Sequence, residues 1–212
     1  MHTPKNFEQN DSDQLTALIT TYPFATLITY SESGLEANHI PFLLNTSIGK
    51  YVLQGHIAKS NPLWKDLQDQ AEVLLVFHGP NTYISPNYYP TKKDSAKVVP
   101  TWNYVTVHVK GVMSYIHDDT WKMDMITRLT QQHESEQTTP WAVTDAPEDF
   151  TQKMLSAIVG IEITVVSMQG KWKLSQNQPE KNQRGVVTGL SEKPDSDAQI
   201  MAQMINNNMS DT

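Results

Sequence analysis

Hydrophobic and polar positions change rhythm several times along the 212 residues, and each change marks an element. Leu15, Leu18 and Ile19 lie at helical spacing behind Asp11, with Gln14 three residues on as in a capping box. A short amphipathic helix ending near Tyr22-Pro23 is therefore expected. Residues 24–30 are aromatic and β-branched, residues 31–34 supply turn chemistry and residues 39–44 form a second apolar run, which predicts a hairpin. A third strand is expected over 51–57. Asn61 then offers a cap and Pro62 a first helical position for a helix over 63–69.

Residues 72–77 read as an apolar strand and 98–115 as a long one with alternating polar positions. Between them, 79–90 is rich in Pro, Asn and Tyr and is expected to be a long functional loop. Asp118 or Asp119 should cap a helix running to His133 with Trp121, Met125 and Leu129 at four-residue spacing, and Pro147 should open another carrying Phe150, Met154 and Ile158. Residues 161–167 and 171–174 predict a closing hairpin around Gln169-Gly170. Residues 175–194 are polar and rich in Asn, Gln and Lys, and a last amphipathic helix carries Ile200, Met204 and Ile205. With no regular βαβ alternation and no Gly-x-Gly-x-x-Gly, the expectation is a mainly β, α+β chain, a six-stranded barrel with peripheral helices.

Composition agrees with a folded core: 38% hydrophobic residues, five Trp and eight Tyr. The absence of Cys removes disulfides, thiolate metal sites and Cys nucleophiles, and fits a reducing cytoplasm. The polar first thirteen residues lack a secretory pattern, and no apolar run approaches the roughly 20 residues of a membrane span. A cytoplasmic protein without membrane contact is expected. Net charge is −7, and Arg128 and Arg184 are the only guanidinium groups, so direct sequence-specific DNA binding is weakly supported.

Candidate chemistry concentrates in Gly55-His56-Ile57-Ala58-Lys59-Ser60-Asn61-Pro62, where a strand hands over to a helix. Amides at a helix start attract anions, and Lys59, Ser60 and Asn61 add a charge and polar groups suited to phosphate; the plain alternative is a capped helix with a solvated Lys. Asn38, His39 and Pro41, with Tyr83, Ser85, Tyr88 and Tyr89, could wall a flat slot, and Thr101, Trp102 and Asn103 offer a second polar and aromatic group. Such aromatics equally fill cores. The seven His residues lack zinc-hydrolase spacing, so no metal is expected, and Ser60 and Ser85 lack a nucleophile elbow. No catalytic acid or base is identifiable.

Pro23-Phe24-Ala25-Thr26-Leu27, the run from Ala37 through Asn38, His39, Ile40 and Pro41 to Leu44, and the Gly55 to Pro62 segment resemble the PaiB family of FMN-binding negative transcriptional regulators. The resemblance continues through Gly79-Pro80-Asn81-Thr82-Tyr83-Ile84-Ser85-Pro86, Val99-Pro100-Thr101-Trp102-Asn103-Tyr104, Pro140-Trp141, Asp145-Ala146-Pro147 and the segment from Lys171 to Asn177. It implies an FMN-binding split β-barrel over residues 1–190, with a helical insertion at about 118–158 and a C-terminal helix at 191–212. It also implies a homodimer with FMN between subunits. The strand-two segment with Ile40 would face the flavin ring, His56 and Asn61 would lie near it, and Lys59 and Ser60 would approach the phosphate. Asn38, His39, Tyr83, Ser85, Trp102 and Asn103 complete the implied cofactor set. Lys59 stands where many relatives resemble one another in carrying Arg, which keeps the charge but loses the fork.

Two functions follow from that resemblance: negative transcriptional regulation through flavin state or a partner, or an NAD(P)H-linked flavin oxidoreductase of the pyridoxamine-phosphate-oxidase type. Haem binding through His39 or His56 is a third.

Overall fold

The computed structural model of the chain describes residues 1–47 and 50–210. Its strands are β1 (Glu8–Gln9), β2 (Phe24–Ser31), β3 (Gly34–Pro41), β4 (Leu43–Ser47), β5 (Lys50–Ala58), β6 (Ala71–Ile84), β7 (Thr101–Ile116) and β8 (Ile158–Lys173). Its helices are α1 (Ser12–Thr21), α2 (Leu63–Asp66), α3 (Lys92–Ser95), α4 (Asp119–Glu134), α5 (Glu148–Ser156), α6 (Glu180–Ser191) and α7 (Ser196–Ser210). The sheet order is β3-β2-β6-β7-β8-β5-β4, with β1 on β8. This corrects the six-stranded barrel: among the described residues there are eight strands, and β3 and β4 end an open hydrogen-bonded path. Two units divide the chain: Thr16–Phe77 with His108–Met168, and Met1–Leu15 with His78–Val107 and Gln169–Thr212.

In the first unit, β2 alternates as its sequence demands, burying Ala25, Leu27 and Thr29 while Phe24 and Tyr30 stay exposed. The β2–β3 hairpin closes at the Ser31↔Gly34 pair, and Gly34 takes φ +103°, which an L side chain rarely adopts. The run expected as one strand over 39–44 is broken at Phe42. Pro41 has no N–H to extend the ladder, and the Phe42 amide instead donates to Pro23 O at 3.0 Å. The Phe42 ring is buried edge-on to Phe77, with centroids 6.5 Å apart.

Helix α4 begins where expected, with Asp118 Oδ1 accepting from the Trp121 amide at 2.7 Å. Met125 and Leu129 pack on Leu43, with Trp121 and Ile126 beside them. Lys122 is buried, and its ammonium donates to Leu155 O at 2.8 Å and pairs with Asp119 at 2.7 Å. Arg128 donates to Asn45 Oδ1 and Gln54 Oε1, both at 2.7 Å, and Gln54 in turn donates to Glu162. Pro147 stands at the start of α5, one position ahead of its first helical residue, but Ile158 opens β8, paired with Ala58, instead of extending the helix.

The second unit departs further from expectation. Asp11 Oδ1 accepts from the Asp13 and Gln14 amides, which gives α1 its cap. The segment 79–84 is strand, not loop: Thr82 and Ile84 point inward while Asn81 and Tyr83 point outward, an alternation hidden by the turn-forming composition. No hairpin occurs at Gln169-Gly170, because β8 runs straight through and pairs Gly170 with Gln9. A Cβ on Gly170 would lie 2.4 Å from Leu15, so this glycine permits close packing rather than a turn. Likewise the polar 175–194 stretch contains α6, whose Val186 and Leu190 are buried. Gly185 and Gly189 lie one turn apart against Tyr88.

That contact gives a stability test. Alanine normally favours a helix over glycine by about 1 kcal/mol, yet a Cβ at Gly185 would sit 2.1 Å from Tyr88 O, where backbone must move. Gly185→Ala should therefore destabilise the protein by roughly 1–3 kcal/mol in urea denaturation. A neutral or stabilising result would contradict this packing.

Candidate functional site

The junction after β5 is set by short-range bonds. The Lys59 amide donates to Ala157 O at 2.8 Å, and the Lys59 carbonyl accepts from the Trp64 indole at 2.9 Å. The Asn61 amide donates to Ala58 O, and Asn61 Oδ1 accepts from the Leu63 amide at 2.9 Å. Tyr115 hydroxyl holds Leu63 O at 3.0 Å; burial, with Asp69 and Asp66 nearby, pushes its pKa up to about 12, so it stays a neutral donor. Helix α2 stops at Asp66, short of the expected Asp69, because Leu67 is already extended.

Three amides of the proposed phosphate cradle are thus engaged inside the chain. What remains is side-chain chemistry. Lys59 and Ser60 are exposed, and Lys59 makes no ion pair among the described residues. Asn61 Nδ2 donates to Asn38 Oδ1 at 2.7 Å, bringing β3 against this junction. A cation, a hydroxyl and two carboxamides on a pinned backbone fit the phosphate and polar edge of a flavin nucleotide.

The β3 candidates fall on two faces, as strand alternation requires. Ile40 is buried toward Gly55, where a Cβ would lie 3.2 Å from it, and Asn38 shares that side of the strand. His39 faces outward, its ring 6.1 Å from that of Phe24, and Pro41 follows on the same side. His56 pairs across the ladder with Gly160, and the Trp121 ring covers Gly160 so closely that a Cβ there would lie 2.5 Å away. Cross-strand partners share a face, so His56 lies on the Trp121 side of the sheet. Its Nδ1 is buried and without a partner among the described residues, and burial lowers its pKa from 6.5.

The remaining candidates belong to the second unit. Trp102 is held by its indole N–H, which donates to Asn81 Oδ1 at 3.1 Å, and stands edge-on to Tyr83 with centroids 6.1 Å apart. Ser85 caps a turn by accepting from the Asn87 amide at 3.2 Å. Asn103 is fully buried and donates to Ser175 at 2.8 Å, where Ser175 adopts φ +64°. Ser85 thus fixes local backbone, and Asn103 is engaged inside the unit instead of facing solvent. Trp64 and Asn81 were missed from sequence. Trp64 sits five residues beyond Lys59, and neither spacing nor composition reveals that its indole reaches back. Among the described residues, no group of three or more His, Asp or Glu is gathered as a metal site.

His56 supplies a pH test with a definite sign. The folded state holds the ring neutral, so as pH falls below about 6.5 the unfolded chain takes up a proton first. Stability is fully present above that range and declines from there down to the lowered folded-state pKa. Urea midpoints measured from pH 7.5 to 5.5 should fall, and His56→Gln should flatten that slope. An unchanged slope in the variant would exclude His56 as its source.

Residues 1–167 match the family model described as "Putative FMN-binding domain". The chain is 29% identical over 205 residues to the Bacillus subtilis protease synthase and sporulation protein PAI 2, covering 97% of this chain and 96% of that protein. It is 35% identical over 213 residues to a protein of Emericella nidulans, covering 83% and 84% of the two chains. Its fold is similar to the flavocytochrome Anf3 of Azotobacter vinelandii, with a TM-score of 0.57 at 13% identity over 81% of this chain and 72% of that one. It is also similar to an FAD and heme binding protein of Mycobacterium smegmatis, with a TM-score of 0.59 at 16% identity over 86% and 80%. Carried by a match that spans most of its length, the chain belongs to the PaiB-type family of FMN-binding proteins and uses a flavin cofactor.

Proposed function

We propose that this chain is a homodimeric flavin-nucleotide-binding regulator, which influences transcription through its flavin state or a protein partner and not through operator contacts. The observation that carries the reading is the β5 junction, where the unpaired Lys59 ammonium and the Ser60 hydroxyl stand beside the Asn38–Asn61 hydrogen bond. Lys59 and Ser60 would hold the phosphate, and Asn38 and Asn61 would orient the nucleotide. His39 and Pro41 supply accessible surface for the ring, while Tyr83 and Trp102 present accessible rings of their own in the second unit. Ile40 and His56 would pack behind them in the same unit, while Ser85 and Asn103 support the second unit. When bound, the flavin supplies reversible hydride and electron transfer.

The name of the Bacillus subtilis relative ties that protein to protease synthesis and sporulation, which supports a regulatory output here. Charge argues against direct DNA contact: the chain carries −7, and α7 contains no Lys or Arg. In α6, Arg184 pairs with Glu180, and Lys181 lies 3.8 Å from Asp94.

A second copy of the chain is the occupant best suited to the open face of β2 and β3. Tyr30 and Leu35 face each other across the ladder at 72% and 78% exposure, and Val166 is 68% exposed. They border a groove of about 390 Å³ together with Ile28, Leu74 and Lys110. An apolar patch of this kind is uncommon on a monomer. The NAD(P)H-linked reductase remains a second reading, favoured by the half-open Tyr83 and Trp102 rings, on which a nicotinamide could stack.

Purified protein should show the absorption of oxidised flavin, and Lys59→Glu should weaken FMN binding about tenfold or more while riboflavin affinity and melting temperature hold. Equal affinity of variant and wild type for FMN would remove Lys59 as the anchor. Leu35→Glu should weaken self-association about tenfold or more in analytical ultracentrifugation. A monomeric wild type would overturn the dimer. Mobility-shift titration at low salt should detect no specific DNA complex, and bleaching of bound flavin by NADPH with turnover of a small acceptor would favour the reductase.

A further inference from the structure

The second unit carries a cluster that the Lys59 junction does not use. Trp102 and Tyr104 are alternate residues of β7 and project from one face of it, as Lys171 and Lys173 do on β8. The Lys171 ammonium lies 5.2 Å from the centroid of the Tyr104 ring, so the two pairs share a face. Tyr83 extends that face from β6, edge-on to Trp102 at an interplanar angle of 63°. The two rings remain 43% and 49% exposed. Aromatic surface and ammonium groups therefore lie side by side.

The two lysines are short of partners. Lys171 donates to His2 O at 3.1 Å and Lys173 to Thr101 Oγ1 at 2.5 Å, which uses one of three N–H donors on each. Among the described residues neither makes an ion pair, although Glu8 stands opposite Lys171 in the ladder. Both are half-buried in a chain whose net charge is −7. Burial lowers the Lys173 pKa, Tyr104 opposes that shift and the Lys171 charge adds to it. A like-charged, partly desolvated pair that makes no ion pair is unfavourable, and an anion placed between the two reverses the sign of the interaction.

We propose that Lys171 and Lys173 form an anion-binding pair that receives a phosphate group of a planar nucleotide whose ring lies across Tyr83 and Trp102. Two sources share this chemistry: FMN itself, in which case the inference rests on the flavin reading above but this pair replaces Lys59 as the anchor of the single phosphate, and a second, nicotinamide nucleotide, which leaves Lys59 its role. Either way the site lies on β6, β7 and β8 of one unit, apart in sequence from Lys59.

The test compares wild type with Lys173→Gln and Lys171→Gln, singly and together, in titrations with FMN, riboflavin, NADPH and pyrophosphate read by tryptophan fluorescence. The double variant should lose tenfold or more in affinity for FMN or for NADPH, with riboflavin affinity within twofold of wild type. Which phosphorylated ligand suffers identifies the source. Lys173→Arg should keep most of the affinity, and it serves as the reference if a glutamine variant fails to fold: loss in a folded Lys173→Arg protein as large as that of Lys171→Gln would overturn a role for charge. Equal losses for FMN and riboflavin, or no loss for any phosphorylated ligand, would overturn the pair. Should wild type bind no flavin at all, the flavin reading fails separately, and pyrophosphate still decides: a response abolished in the double variant supports the site, and no response in wild type rejects it.

Discussion

The backbone break at Phe42 is the constraint on which the first unit depends. The sheet path ends at β3 and β4, and these ends are consecutive in the chain, separated by one residue. Pro41 ends one ladder because it lacks a donor, and the Phe42 amide finds Pro23 O instead. The ring then fills the interior against Phe77, and Gly55 allows β5 to approach, since a Cβ there would lie 3.1 Å from Phe42. A larger residue at 55 would push β5 away from β3. The Asn38–Asn61 bond, and with it the candidate nucleotide junction, follows from that closeness.

Strand alternation then sorts the polar residues by task. Along β3, neighbours separate to opposite faces, so Asn38 meets the junction while His39 looks outward against Phe24. Buried polar side chains elsewhere mostly satisfy the backbone or one another. Arg128, Asn45, Gln54 and Glu162 link α4, β4, β5 and β8 through charge-assisted and amide bonds, and Lys122 meets the carbonyl end of α5. Most lysines make no ion pair among the described residues; Lys59 is set apart by the neighbouring Asn38–Asn61 bond, and Lys171 and Lys173 by partial burial beside the aromatic residues of β7. In an acidic chain, such groups are the natural points of attraction for phosphate.

Much of the fold was legible in order and type. The hairpin of β2 with β3, the Asp118 cap, the Pro147 start and the final helix all follow from local chemistry that the sequence states directly. Composition misled in three places: Gly79-Pro80-Asn81 lies in a strand, Gln169-Gly170 lies in another, and the Asn, Gln and Lys content of 175–194 concealed α6. Gly170, Gly185 and Gly189 serve close approach to Leu15 and Tyr88, which no local window can register.

The sequence by itself determined the β2–β3 hairpin, the starts of α4 and α5, the family motifs, the absence of thiol chemistry and the acidic balance, because these depend on residue identity and short spacing. Only the tertiary structure decided which face each candidate takes and what it meets there. Ile40 and Asn103 are buried, His56 lies with Trp121, and Lys171 and Lys173 lie with the aromatic residues of β7. Burial and pairing are set by strand register and by side chains remote in sequence, such as Trp64 reaching the Lys59 carbonyl, and register is a property of the folded sheet.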